Sequence, residues 1–202
     1  GVGGMQLYRA EAPGPVKDSK LTPRITETAK ALWYIYLGLT VLCASAYWAA
    51  GMDGFDAIAH SFSTIAIGGY STHDASIGYF NSPIIELVAI FFMFVSGVNF
   101  ALHFTAWRAN TPKVYLRDPE FRFYASIMLG VCVVTIATLY ISDSYNLFDA
   151  VIKGTFEVVS IATTTGYATA DFSSWPFVLP FLLFVVAFVG GCAGSTGGGM
   201  KA

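Results

Sequence analysis

Two short glycine-containing segments combine the residue types that can replace the water around a cation. Residues 66–74 read AIGGYSTHD and residues 163–171 read TTTGYATAD, so a shift of 97 positions superposes Gly69 on Gly166. A tyrosine, a threonine and an aspartate then recur at the same spacing after each glycine. Glycine adopts backbone angles that are closed to other residues, so both loops can turn successive carbonyl oxygens toward one axis.

The chemistry that requires such a loop is the passage of a cation through lipid. Transfer of an ammonium-sized ion from water into a low-dielectric medium costs on the order of 20 kcal/mol, and potassium is of similar size. Helix carbonyls are hydrogen-bonded internally, so loop backbone must supply the replacement oxygens. For a single segment the alternative is a tight turn with an interfacial tyrosine. Two copies at equal spacing favour an ion filter.

Several other polar residues leave alternatives open. Asp74 and Asp171 follow the glycines at equal offsets, so they either raise the cation concentration at the outer mouth or cap their own loops. Lys201 is either a membrane anchor or a charge at the inner end of the path. Asn99 either hydrogen-bonds between helices or lines a cavity. Lys153 is expected to pair with the glutamate four residues later.

A third glycine-rich segment, residues 190–201, reads GGCAGSTGGGMK at the end of an apolar stretch. A regular helix loses about 1 kcal/mol for each glycine relative to alanine, so this composition predicts a broken helix. The interruption would place a loop under the filter, where it obstructs the path. The alternative is close packing between helices, which small residues permit.

The elements that must position these loops are membrane helices. Of the 202 residues, 55% are hydrophobic and 12% are charged, whereas a soluble chain carries about 25% charged residues. Twenty helical residues rise about 30 Å, which matches the hydrocarbon core of a bilayer. Stretches without charge therefore predict four spans, at residues 31–50, 87–102, 123–142 and 172–200.

Shorter apolar stretches between these spans, residues 55–67 and 148–164, predict re-entrant half-helices. Phe55-Asp56-Ala57 recurs as Phe148-Asp149-Ala150 at a shift of 93, whereas the glycine loops align at 97. Four additional residues, about one helical turn, are therefore expected in the second half-helix. Each unit is therefore predicted to contain a span, a half-helix, a loop and a second span, in that order.

The distribution of basic residues orients the chain. Of the 11 lysines and arginines, all but Lys153 fall on one side of the predicted spans, which is therefore predicted to be cytoplasmic. A net charge of -2 leaves no basic surplus for binding nucleic acid. The three cysteines lie in apolar runs, which predicts buried thiols rather than a disulfide framework.

The sequence contains no arrangement typical of an enzyme. His60, His73 and His103 are dispersed and lack the spacing of metal ligands, so they are expected to serve as hydrogen-bonding side chains. Serines and threonines cluster beside glycines rather than beside histidines, so no nucleophile, base and orienting acid converge. We predict a protein that is not an enzyme.

Four segments resemble the Trk/Ktr/HKT superfamily of potassium transporters, most closely its TrkH-type members. They are residues 4–8 (GMQLY), 61–76 (SFSTIAIGGYSTHDAS), 118–121 (DPEF) and the glycine-rich segment 190–201. The resemblance implies filter positions at Ile67, Gly68, Gly69, Thr164, Thr165 and Gly166, and a gate loop formed by Gly194, Ser195, Thr196, Gly197, Gly198 and Gly199.

The resemblance also implies a fold and its organisation. The expected fold is an all-α polytopic membrane protein with two tandem units of span, pore half-helix, filter loop and span, out of four around one potassium-channel-like pore. The expected parts are a cytoplasmic segment 1–29, the second pore unit 30–108, a basic cytoplasmic loop 109–122 and the third pore unit 123–202. Two loops leave half of the coordination shell open, so we expect a part of a longer subunit.

The function implied is potassium uptake in a bacterial inner membrane, by channel or symport, with potassium as the transported ion and no organic cofactor. The implied partners are the lipid bilayer, the remaining two pore units, a second subunit in a homodimer and a cytoplasmic nucleotide-binding regulatory subunit of the TrkA type. The basic loop could contact that subunit or anionic lipid. The alternative is a membrane protein with a structural or enzymatic role and no ion pathway.

Overall fold

The computed structural model describes residues 25–176 and 178–201, and every regular element within them is helical. The helices are α1 (Ile25–Ala49), α2 (Gly54–Ile65), α3 (Pro83–Ser96), α4 (Phe100–Ala109), α5 (Lys113–Arg117), α6 (Pro119–Ile141), α7 (Leu147–Ala162) and α8 (Val178–Ala187), with 3-10 turns at Ser76–Phe80 and Phe172–Ser174. The predicted all-α class is confirmed. The GMQLY segment, and with it residues 1–24 of the predicted cytoplasmic segment, lies outside the described residues.

Two of the described helices, α1 and α6, are long and apolar enough to cross a membrane. Together, α3 and α4 would make a third span, but they meet at an angle of 93°. The predicted span at residues 87–102 is therefore interrupted between Ser96 and Phe100. The fourth predicted span, residues 172–200, contains a helix of only 10 residues, α8, followed by non-helical backbone.

Gly97 and Asn99 lie at the break between α3 and α4. A Cβ atom on Gly97 would lie 2.3 Å from the hydroxyl of Tyr124, so this tyrosine of α6 occupies the space that a side chain would need. Asn99 then begins α4, because its Oδ1 accepts a hydrogen bond from the amide of Ala101 at 2.8 Å. Asn99 is thus a helix cap, a role that neither sequence alternative included.

The two half-helices, α2 and α7, have 12 and 16 residues, which confirms the four additional residues expected in the second. Both begin with a polar cap. Asp53 accepts a hydrogen bond from the amide of Asp56, and Asn146 accepts one from the amide of Asp149. Each half-helix ends directly before its glycine loop, so the partial negative charge of the helix C-terminus faces that loop.

The half-helices connect the two units. Each packs against the span that precedes it, α2 on α1 and α7 on α6, and α7 also packs against α3 of the preceding unit. One hydrophobic core contains Tyr47, Ile65 and Met93 from the first unit together with Phe156 and Tyr167 from the second. The relative position of the two glycine loops is therefore fixed by packed side chains.

An ion pair reinforces this contact between units. The ammonium of Lys153 on α7 lies 2.6 Å from Oε1 of Glu86 on α3, and the Glu86 side chain is 2% exposed. The prediction that Lys153 pairs with Glu157 is therefore wrong. Sequence spacing could not identify this partner, because Glu86 lies 67 positions away and approaches only when α3 packs on α7.

Candidate functional site

Both predicted filter loops follow the C-terminal end of a half-helix with the same pattern of backbone angles. Ile67 and Gly69 have φ of 53° and 69°, and Thr164 and Gly166 have φ of 66° and 85°, while the residue between them has no positive φ. Such alternation points successive peptide groups to the same side. A left-handed conformation at Ile67 and Thr164 costs about 1–2 kcal/mol each, which is typical of a functional site.

Five of the six amides at the predicted filter positions donate hydrogen bonds to the preceding half-helix, whereas the carbonyl oxygens accept none from the described residues. The amide of Gly68 donates to the carbonyl of Ser63 at 2.8 Å, and the amide of Thr165 donates to that of Ser160 at the same distance. Among residues 25–176 and 178–201, no hydrogen bond ends on the carbonyl oxygens of the six predicted filter positions. These oxygens can therefore serve as ligands for a cation.

The two loops touch each other through their backbones. A Cβ atom on Gly69 would lie 2.0 Å from the carbonyl oxygen of Thr165, so only glycine fits at position 69. At Gly166 the equivalent space is open, since no atom of the described residues other than its chain neighbours lies within 4 Å. The loops contact each other as neighbours around a common axis would, with one joint between them and a free edge on either side.

The tyrosines that follow the two glycines have different environments. Tyr167 is 1% exposed, and its hydroxyl donates to the carbonyl of His60 on the half-helix of the preceding unit at 3.3 Å. Thr64 lies 3.4 Å from the same hydroxyl and bonds Tyr47 at 2.8 Å. Tyr70, the equivalent residue of the first loop, is 83% exposed.

Residues 71–73 form the outer limb of the first loop. They are bound by side chains of α2 in a cluster that the sequence did not predict. Asp56 accepts hydrogen bonds from the Thr72 hydroxyl at 2.6 Å and from Nε2 of His73 at 2.9 Å. His60 bonds the hydroxyl of Ser71 at 2.9 Å. The expectation that these histidines form hydrogen bonds is confirmed, but they are not dispersed, because the two rings stack with centroids 6.4 Å apart.

Residues 167–170 form the outer limb of the second loop, and one carboxylate binds the last two of them. Oε1 of Glu157 accepts hydrogen bonds from the amides of Thr169 and Ala170, at 2.7 and 3.0 Å. In the register that superposes the two glycine loops, Glu157 matches His60, since both lie seven residues before the first filter position. That shared position is the sequence signal that could have identified both residues.

The predicted outer-mouth residues, Asp74 and Asp171, are both exposed on the side of the loops away from the glycine-rich segment. Oδ1 of Asp171 accepts hydrogen bonds from the amide and hydroxyl of Ser173, at 3.1 and 2.6 Å. Asp171 therefore caps its own loop. Because it is also exposed, capping and cation attraction are compatible at this position.

The glycine-rich segment is non-helical and lies against the inner ends of both half-helices. The Thr196 hydroxyl donates to the carbonyl of Ile65, the last residue of α2, at 2.8 Å. The amide of Gly198 donates to the hydroxyl of Thr164, a predicted filter residue, at 2.7 Å. The amide of Cys192 donates to the carbonyl of Gly97 at 2.8 Å. The segment is thus bonded to both units at the inner side of the filter loops.

Two charged side chains hold the glycine-rich segment from the side that the basic residues predict to be cytoplasmic. Oε1 of Glu120, in the DPEF motif at the start of α6, accepts a hydrogen bond from the amide of Ala193. The ammonium of Lys201 donates to the carbonyl of Gly197. Sequence reasoning assigned no role to Glu120, because the contact joins positions 73 residues apart.

Metal-ligand and thiol chemistry receive no support from the described part of the chain. It contains no group of three His, Cys, Asp or Glu side chains that could hold a metal ion. Cys43 and Cys192 are buried thiols, as the sequence predicted, whereas Cys132 is only partly buried. His103 bonds the Tyr115 hydroxyl at 2.9 Å and faces the carbonyl of Val95, away from the filter loops.

The profile of the TrkH family, described as a cation transport protein, matches residues 1–202. The chain belongs to the TrkH family. It is 62% identical over 201 residues to the Trk system potassium uptake protein TrkH of Halomonas elongata, and 55% identical over 202 residues to that of Escherichia coli. Each alignment covers 100% of this chain and 42% of the relative.

A solved TrkH structure has the same fold. The crystal structure of the potassium transporter TrkH from Vibrio parahaemolyticus superposes with a TM-score of 0.86 at 55% sequence identity, covering 89% of this chain and 39% of that one. The chain therefore spans about two fifths of the length of the TrkH proteins that it matches. Its family and its helices make it part of a membrane-embedded protein.

Proposed function

We propose that this chain supplies two of the four filter loops of a potassium uptake protein, with potassium as the transported ion. One observation carries the proposal: two adjacent loops with alternating left-handed backbone and carbonyl oxygens that no described group uses. Such oxygens replace the hydration shell of a dehydrated cation. The relatives of this chain are named as potassium uptake proteins of the Trk system, which favours potassium.

The two edges of the loop pair support the presence of two further units. At the joint, Tyr167 is buried against the preceding half-helix and Gly69 meets the following loop. At the edges, Tyr70 is exposed and Gly166 faces open space. A half-helix packed on Tyr70 and a loop packed on Gly166 would repeat the observed joint and close a ring. The relatives are more than twice as long as this chain, which provides enough sequence for both.

We infer that the glycine-rich segment acts as the gate, through residues 194–199. Its contacts support this role, because Thr196 and Gly198 bond the ends of the two half-helices at the inner mouth of the filter. Successive glycines allow the segment to adopt a second path at little steric cost. Opening would require these bonds, and those from Glu120 and Lys201, to break together.

The proposed setting is a bacterial inner membrane, in which α1 and α6 present large apolar side chains such as Trp33 and Leu129 to lipid. By resemblance to the Trk system we further propose a homodimer of complete subunits with a cytoplasmic nucleotide-binding partner of the TrkA type. The basic loop of residues 109–122 connects α4 to α6 and is the proposed contact for that partner.

Ion selectivity tests the filter assignment. The complete protein and its Gly166→Ser form are reconstituted in liposomes at equal density, and rubidium and sodium fluxes are compared. Gly166 has a φ of 85° and lies beside the proposed ion path, so a serine there should reduce the rubidium preference by at least about tenfold. Unchanged selectivity in a folded variant would assign Gly166 to a turn and remove it from the filter. A structural or enzymatic protein would carry no selective flux in either form.

A further inference from the structure

Glu157 is a buried carboxylate that reaches the second filter loop from behind. Its side chain is 0% exposed, and Oε1 accepts three hydrogen bonds, from the amides of Thr169 and Ala170 at 2.7 and 3.0 Å and from the Thr169 hydroxyl at 3.3 Å. Oε2 is also buried and has no partner among the described residues. A buried carboxylate is costly to retain unless its bonds serve the structure or the function.

The position of Glu157 lets it control the geometry of the filter residues. It lies seven residues before Thr164, on the half-helix that ends there, and it binds residues five and six positions after Thr164. The filter residues are thus fixed at both ends, by α7 at the inner end and by Glu157 at the outer end. A displacement of the outer end changes the spacing of the carbonyl oxygens between the two ends.

Other hydrogen bonds of this outer limb involve Tyr167 and Ala168, and one of them runs from the amide of Gly78 to the carbonyl of Ala168 at 3.1 Å. Ser160 donates to the carbonyl of Tyr167 at 2.6 Å, and the amide of Ala168 donates to the Ser76 hydroxyl at 3.2 Å. Beyond Ala168, the amides of the next two residues both rely on Glu157. In the first loop His60, at the matching helix position, forms a hydrogen bond with Ser71. Both units therefore bind the outer limb from this position, one with an imidazole and the other with a carboxylate.

We propose that Glu157 is a specificity-determining positioning residue, which holds the outer limb of the second filter loop and so sets the spacing of its carbonyl ligands. This inference rests on the proposed function of the loops as a potassium filter. Glu157 does not contact the ion. Glu157 acts on the filter residues only through the hydrogen bonds that Oε1 accepts from the loop amides. The property that matters is therefore a hydrogen-bond acceptor at Oε1.

The test compares three substitutions in the complete protein, reconstituted in liposomes, with the ratio of rubidium to sodium flux as the readout. Glu157→Gln keeps an acceptor at Oε1 and should retain the parent's ratio within about threefold. Glu157→Leu has a similar size but no acceptor, and should lower the ratio by about tenfold or more. Glu157→Asp retracts the carboxylate by one methylene and should give an intermediate ratio. Thr135→Val, at a buried hydroxyl of α6 that touches neither loop, is the matched control and should keep the parent's ratio.

Each outcome decides the proposal. A folded Leu variant with the parent's ratio would overturn it, and so would a Gln variant as unselective as Leu. If the Leu variant does not reconstitute, the Asp variant decides: a reduced ratio supports the proposal and the parent's ratio overturns it. Failure of the proposed function is distinguishable, because the parent itself would then show no preference for rubidium over sodium.

Discussion

The two glycine loops that we propose as a filter share a backbone path but differ in the side chains that hold it. At one position of the half-helix, the first unit has His60 and the second has Glu157, and each binds the outer limb of its own loop. Four residues earlier, Asp56 also binds its own loop, whereas Lys153 binds Glu86 of the preceding unit. The comparison indicates that the backbone geometry is the common requirement, and that each unit meets it with different polar contacts.

The two loops also differ in what surrounds them. Tyr167 and Gly69 make the contact between the two loops. Their equivalents in the other loop, Tyr70 and Gly166, lie at the outer edges of the pair, where Tyr70 is exposed and Gly166 faces open space. Equivalent residues with unequal burial are expected when two members of a larger ring are viewed alone.

Gly69→Ala should abolish selective uptake by the complete protein. The added Cβ would lie 2.0 Å from the carbonyl of Thr165, and the φ of 69° costs alanine about 1–2 kcal/mol in addition. We expect rubidium uptake into liposomes to fall more than about tenfold at matched incorporation. Gly38→Ala on α1, where nothing lies within 4 Å of the new methyl group, is the control and should match the parent. Parental uptake by Gly69→Ala would show that the loops are not in contact.

Tyr167→Ala and Tyr70→Ala compare the joint with the edge directly. Truncation of a buried aromatic side chain costs about 3–5 kcal/mol, so Tyr167→Ala should lower the melting temperature of the complete protein markedly. If a preceding unit covers Tyr70 in that protein, Tyr70→Ala should have a comparable effect, although Tyr70 is 83% exposed in this chain. Thermal unfolding measures both. A melting temperature unchanged by Tyr70→Ala would contradict the ring of four units.

Lys153→Met tests the ion pair between units. Removal of one partner from a buried pair costs about 3 kcal/mol, because Glu86 is left without its cation. Combination with Glu86→Gln should recover most of that loss, and the thermal unfolding of the single and double variants of the complete protein measures the coupling. Additive losses would indicate that the two side chains do not interact.

Asp74→Asn combined with Asp171→Asn should have the smallest effect. Asparagine keeps an oxygen for the bonds to Ser173 and removes only the charge. Screening extends over about 30 Å at 0.01 M salt and about 8 Å at 0.15 M, so uptake should fall about twofold at low ionic strength and little at high ionic strength. Rubidium flux at both salt concentrations provides the measurement. A reduction independent of salt would exclude attraction of cations as their role.

Much of the architecture could be predicted from the sequence because it depends on local patterns. The repeat of Gly-Tyr with a following threonine and aspartate located both loops, and the change of shift from 93 to 97 gave the longer second half-helix. The glycine content of residues 190–201 predicted the loss of helix after α8. Composition and basic-residue distribution predicted membrane helices.

The parts that could not be predicted depend on contacts between distant residues. The partner of Lys153 was misassigned to Glu157, because the pairing with Glu86 exists only when α3 packs on α7. Gly97, at the break, has no room for a side chain because Tyr124 of α6, 27 positions later in the sequence, occupies that space. The contact of Glu120 with the glycine-rich segment likewise has no signature in local spacing.

The most direct test of the central claim is a crystal structure of the complete protein grown with rubidium and measured for its anomalous signal. Rubidium is close to potassium in size and can be located independently of water. We predict anomalous density between the loops, within coordinating distance of carbonyl oxygens of residues 67–69 and 164–166. Occupied rubidium sites elsewhere in the protein, with none at these carbonyls, would contradict the assignment of the two loops as a potassium filter.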